Sequence, residues 1–192
     1  MSCFFFQDNV VFIDCEGSPV QELSAIIMQW ETKNIVSVYH HFAYDVYAPN
    51  DNWARKYLHG LNLEYLYNHG FGSTEQLIEN FKLWLSEFNY VHIFGNDPRK
   101  ERSELNLDIV DIELPGWIDR SKEPYHTIAN RFKELSVPIS NSNLCCGNVA
   151  HSSYSTQPLW KPKNLTAIAK QEHGFHCSLY DCYEMYLFYL LR

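Results

Sequence analysis

Apolar and polar positions alternate along this chain in a way that separates strands from helices. Val10-Val11-Phe12-Ile13 is an unbroken apolar run that reads as a buried strand over residues 10–14, ending at Asp14-Cys15-Glu16-Gly17. After the Gly17-Ser18-Pro19 turn, residues 23–30 predict a second strand, and Glu31-Thr32-Lys33-Asn34 a hairpin turn. Residues 35–42 predict a third. Residues 50–72 read as loop and short helix. Ser73-Thr74-Glu75-Gln76 is a capping-box pattern, and Leu77, Ile78, Phe81, Trp84, Leu85 and Phe88 follow at helical spacing.

Residues 90–94 predict a buried strand that ends at Gly95-Asn96-Asp97-Pro98, where Pro98 suits a first helical turn. A strand is expected over 108–114 and helices over 125–135 and 163–170, with an irregular stretch at 138–162. A last helix is expected over 178–191, with Leu179, Cys182, Tyr183, Tyr186, Leu187 and Leu190 inward. Hairpin-linked strands followed by alternating helices and strands predict an α/β, RNase H-like mixed sheet. Its first three strands are antiparallel, the later ones parallel, and helices flank it. One domain over 1–192 is expected.

Composition narrows the function classes. With 192 residues of which 46% are hydrophobic, the chain can fill a core. Aromatic residues make up 16%, which leaves rings to stack on bases or face a partner; Trp53, Tyr57, Tyr65, Tyr67 and Phe71 cluster after the third strand. The formal charge of −8 excludes a generic basic coat for duplex nucleic acid, though not an enzyme that meets phosphate through bound cations. The six cysteines lack framework spacing, the N-terminus lacks a basic region, and no stretch reaches membrane-spanning length. These features predict an intracellular protein of cytoplasm or nucleus, reduced and not secreted, with no membrane association. The Asn164-Leu165-Thr166 sequon then has no role.

The candidate chemistry lies at the ends of these elements. Side chains two apart on a strand share a face, so Asp14 and Glu16 stand side by side at the end of the first strand. Adjacent carboxylates repel unless a cation sits between them. Asp97 ends another central strand, and Asp181 lies one turn into the last helix, just after His176. Each has a plainer reading: a turn cap for Asp14, a favourable helix-dipole position for Asp181, a loop histidine for His176. The run Arg99-Lys100-Glu101-Arg102 is a solvated helix face or a contact to a substrate phosphate.

Asp-x-Glu, a mid-chain Asp, and His176-Cys-Ser-Leu-Tyr-Asp181 near the C-terminus resemble the DEDDh-type 3′–5′ exonucleases, a family that includes proofreading subunits and oligoribonucleases. The resemblance implies two divalent cations, Mg2+ or Mn2+, held by Asp14, Glu16, Asp97 and Asp181, with His176 as general base. It implies hydrolysis of single-stranded DNA or RNA from a free 3′ end to nucleoside 5′-monophosphates. It also implies substrate contacts at Leu23 and Cys15. The middle motif departs from the family pattern: Asp97 has the better place at the strand end, and Glu101 the better spacing to Leu105. Asp97 is the first choice and Glu101 the substitute.

A weaker resemblance is to Maelstrom-type domains, which share this fold and carry a Glu-Cys-His-Cys zinc set. The spacing His173-x-x-His176 followed by Cys182 carries it, with His in place of that set's first Cys. A structural zinc would draw on Cys146, His151, His173 and Cys182, against the plainer and favoured reading of buried or reduced cysteines. The function that competes with the enzyme is a weak or inactive RNase H-like module that binds RNA or a protein partner. A nuclease of the same fold that cuts internally is a third reading. DNA versus RNA preference, pathway and oligomeric state stay open, a homodimer included.

Overall fold

The computed structural model describes residues 8–44, 61, 63–113 and 178–191. The strands are β1 (Asn9–Glu16), β2 (Glu22–Gln29), β3 (Ile35–Phe42), β4 (Tyr90–Gly95) and β5 (Val110–Asp111). The helices are α1 (Leu63–His69), α2 (Thr74–Leu85), α3 (Arg99–Leu105) and α4 (Ser178–Leu191). The strands form one sheet in the order β3-β2-β1-β4-β5. β1 pairs antiparallel with β2, and β2 antiparallel with β3; β4 lies parallel to β1, and β5 parallel to β4. This is the mixed α/β sheet expected from the element order.

β1 and β2 are apolar over 10–13 and 25–28 because both of their faces are covered there. On one face Val10, Phe12, Ile26 and Met28 pack against Leu179, Cys182, Tyr183, Met185 and Tyr186 of α4. On the other, Val11, Ile13, Cys15, Leu23, Ala25 and Ile27 pack against Leu77, Phe81 and Leu85 of α2 and Leu105 of α3. Phe12 is fully buried, its ring 5.5 Å from Tyr189 and 6.0 Å from both Phe94 and Tyr186. Burying one such side chain contributes about 2–3 kcal/mol, so this face of β1 fixes where α4 lies. β3 is an edge strand and shows the alternation expected there, with Val36 and Val38 exposed.

Helix starts follow their local chemistry. Ser73 caps α2 by accepting from the Gln76 N–H at 3.3 Å, and Gln76 Oε1 accepts from the Gly72 N–H at 3.1 Å. The capping box therefore closes one residue earlier than the usual pattern, on Gly72 rather than on the cap residue. β5 is shorter than the strand expected over 108–114: it meets β4 only at Phe94↔Val110 and Gly95↔Asp111. The chain ahead of it is instead held by Arg102, whose Nε donates to the Ile109 carbonyl at 2.6 Å. The helices expected at 125–135 and 163–170 lie outside the described residues.

Candidate metal centre

β1 is flanked on both sides in the sheet, and its last residues carry the site. Asp14 and Glu16 alternate with Ile13 and Cys15, so they extend the face of Val10 and Phe12, the face covered by α4. α4 begins at Ser178, and Asp181 stands one turn in. One ligand oxygen from each of Asp14, Glu16 and Asp181 lies within 4.8 Å of the others.

The helix is fastened at this level by its first residue. The hydroxyls of Ser178 and Ser24 share a buried hydrogen bond of 2.6 Å, and Ser24 is the β2 residue paired with Asp14. Cys182 Sγ donates to the Ser24 carbonyl at 3.3 Å. These two contacts set the height of Asp181 over β1. Sequence reasoning missed them, because a serine pair separated by 154 positions carries no local signal.

The fourth acidic residue at the site is Glu101. β4 stops pairing with β1 at Phe12↔Phe94, so the Cys15 peptide has lost that neighbour. α3 fills the gap with two consecutive side chains. Lys100 Nζ donates to the Cys15 carbonyl at 3.2 Å, and the buried Glu101 carboxylate accepts from the Cys15 N–H. The structure places Asp97 elsewhere. Its backbone turns through the left-handed region at φ 49°, and its carboxylate pairs with Arg99 at 2.8 and 2.7 Å in solvent. The Arg99 guanidinium holds the Asp97 carboxyl below the usual carboxylate range, as an exposed ion pair does.

The electrostatics follow from this placement. Burial pushes the Asp14 carboxyl well above its ordinary value, and the charges of Asp181, Glu16 and Glu101 push it further, while Lys100 draws it back. Asp97 is not among the charges that act on Asp14. Glu101 is raised as well, first by burial, against the opposing pull of its backbone hydrogen bonds and Lys100.

Several residues singled out from the sequence fall outside this cluster. Leu23 and Cys15, expected to lie against substrate, belong to the opposite face of the sheet and are buried against α2. The period of two places them there: Cys15 stands between the carboxylates in sequence but points away from them. Its thiol is pushed well up, chiefly by burial, so it is no nucleophile, and its role at the site belongs to its backbone. Cys182, one of the candidate zinc ligands, lies in the core with its sulfur on the Ser24 carbonyl. His176, Cys146, His151, His173, Trp53 and Tyr57 lie outside the described residues. No described helix is long and apolar enough to cross a membrane.

A mixed sheet of this order with a helix across its central strand is an RNase H-like arrangement. Solved structures share it. The chain is similar to the Mopeia virus exonuclease domain partially complexed with manganese, at TM-score 0.52 and 18% identity, over 93% of this chain and 75% of that one. It is similar to the manganese-depleted form of that domain at TM-score 0.50 and 19% identity, over 91% and 73%. The nuclease domain of 3′hExo, a DEDDh family member bound to rAMP, overlaps 53% of this chain at TM-score 0.41 and 15% identity, too partial to add to the likeness. No protein-family model matches the chain, and no curated protein does. At these identities the likeness establishes the fold.

Proposed function

We propose that this protein is a metal-dependent 3′–5′ exonuclease of the DEDDh type, acting on single-stranded DNA or RNA to release nucleoside 5′-monophosphates. The observation that carries this reading is the approach of Asp14, Glu16 and Asp181 to within 4.8 Å at the end of a central strand. Like charges gathered around a half-buried carboxyl are unfavourable alone and become favourable around a cation. The donors are hard carboxylate oxygens, which suit Mg2+ or Mn2+ and not the thiolate-preferring ions. Glu101, drawn to the same strand end by the Cys15 peptide, is the fourth acidic residue in this reading, in place of Asp97.

Two divalent cations bound there would activate a water for attack on the scissile phosphate and stabilise the departing 3′ oxygen. The protein's own part is to hold four carboxylates in one place and to supply a base. His176 precedes α4 by two positions, and an imidazole with an ordinary pKa near ~6.5 takes a proton readily at neutral pH. We assign it that role.

The test uses a 5′-labelled oligonucleotide with manganese or with EDTA. A ladder that shortens from the 3′ end, stops at a 3′-phosphate and disappears in EDTA supports the proposal. Hydrolysis that persists in EDTA, or that passes a blocked 3′ end, contradicts it. His176→Ala is expected to bind metal normally and to lose ~10²–10⁴-fold in rate, the usual contribution of a general base.

A further inference from the structure

Three cations follow β4, and each has a different partner. Arg99 is tied to Asp97 in solvent. Arg102 fastens the Ile109 carbonyl. Lys100 alone of the three reaches the site: its ammonium rests 3.2 Å from the carbonyl of Cys15, the residue between Asp14 and Glu16. Its charge acts on Asp14, Cys15 and Glu101 together.

A cation in this position opposes metal binding, because it repels any other positive ion drawn to the same carboxylates. Its usefulness must come from something negative that arrives with the metals. Charge counting identifies it. Four ionised carboxylates carry four negative charges, two divalent cations neutralise them, and Lys100 then leaves one positive charge, the complement of one phosphodiester. An ammonium has three donors, of which the Cys15 carbonyl takes one.

We propose that Lys100 is the substrate-phosphate contact of this site, gripping a backbone phosphate next to the scissile bond with the ammonium that rests on Cys15. This rests on the nuclease reading above. Lys100 is then the reason an acidic chain without a basic coat binds an anionic polymer: it supplies one local charge where the metals supply the rest.

The test compares Lys100→Gln, which keeps a hydrogen-bond donor and loses the charge, with Lys100→Arg, which keeps the charge. Manganese binding is measured by calorimetry without nucleic acid. Affinity for a single-stranded oligonucleotide is measured in calcium across a salt series. Lys100→Gln is expected to bind manganese as tightly as wild type or more tightly. It should bind the oligonucleotide on the order of tenfold to a hundredfold more weakly. The slope of log affinity against log salt should shrink by about 0.7, the share of one phosphate contact on a single strand. Lys100→Arg should retain most of the affinity.

Oligonucleotide affinity and salt slope unchanged in Lys100→Gln would overturn the proposal. So would a parallel loss of manganese and oligonucleotide binding, which marks a strut for the Cys15 peptide and not a phosphate contact. Failure of the nuclease reading itself looks different, because it shows in the wild type as manganese binding without oligonucleotide binding or hydrolysis. That result would overturn the role of Lys100 as well.

Discussion

Replacing Asp14 with Asn should make the metal-free protein more stable and the metal-loaded protein less stable. One carboxylate oxygen from each of Asp14, Glu16 and Asp181 lies within 4.8 Å of the others. At an effective dielectric of about 20, two unit charges at that separation repel by about 3.5 kcal/mol. Burial and the charges of Asp181, Glu16 and Glu101 push the Asp14 carboxyl well up, which lessens the repulsion that the folded chain carries. The relief left for Asp14→Asn is therefore about 1–3 kcal/mol, or about 3–10 °C in Tm for a chain of this length. Manganese at a hundred times its Kd should raise the wild-type Tm by about 5–11 °C, equivalent to about 2.7 kcal/mol. Asn supplies no charge to the metal, so that rise should largely vanish in the variant.

Thermal unfolding followed by circular dichroism, in EDTA and in a manganese series, measures both effects on the same two proteins. The crossing of the curves is the diagnostic. An Asp14→Asn protein that melts lower than wild type in EDTA, and responds equally to manganese, would refute the electrostatic reasoning. Asp14 would then be a structural hydrogen-bonding residue.

Three further outcomes follow from the same geometry. Glu101→Gln should reduce oligonucleotide hydrolysis by on the order of 10²–10³-fold, whereas Asp97→Asn, which breaks an exposed ion pair and removes a minor charge effect on Glu101, should stay within about twofold in kcat/KM. In EDTA, Tm should fall as pH rises. The raised Asp14 carboxyl contributes stability that is full below the unfolded carboxylate pKa of about 4 and is lost as pH passes the folded value, and Asp14→Asn should flatten that fall. Ser178→Ala should cost about 1–3 kcal/mol of stability by leaving the buried Ser24 hydroxyl without this bond. It should also weaken manganese binding, read by calorimetry, because Asp181 loses its fixed height over β1.

How much of this was legible in the sequence depended on how local the cause was. β1 to β3 and α2 could be read because the apolar runs, the alternation and the Ser73 cap are local patterns, and the observed strand bounds lie within two residues of those expected. Asp14, Glu16 and Asp181 could be read because strand period and helix phase fix their faces. The fourth acidic residue could not. A strand-end Asp looked the better choice, but a left-handed turn at Asp97 sends that side chain to solvent. Glu101, one helical turn on and one methylene longer, returns to the open edge of β1. Only the pairing map reveals that edge, which exists because β4 stops pairing at Phe12. Lys100 was hidden in a basic run whose other two cations do serve ordinary purposes. Leu23 and Cys15 were near the motif in sequence, but the strand period turned them to the other face.

Anomalous diffraction at the manganese edge, from crystals grown with manganese and a nucleoside 5′-monophosphate, bears most directly on the metal centre. The expected result is anomalous peaks bounded by Asp14, Glu16 and Asp181, with Glu101 beside them and Asp97 remote. Manganese bound elsewhere, or no peak among these carboxylates at saturating metal, would contradict it.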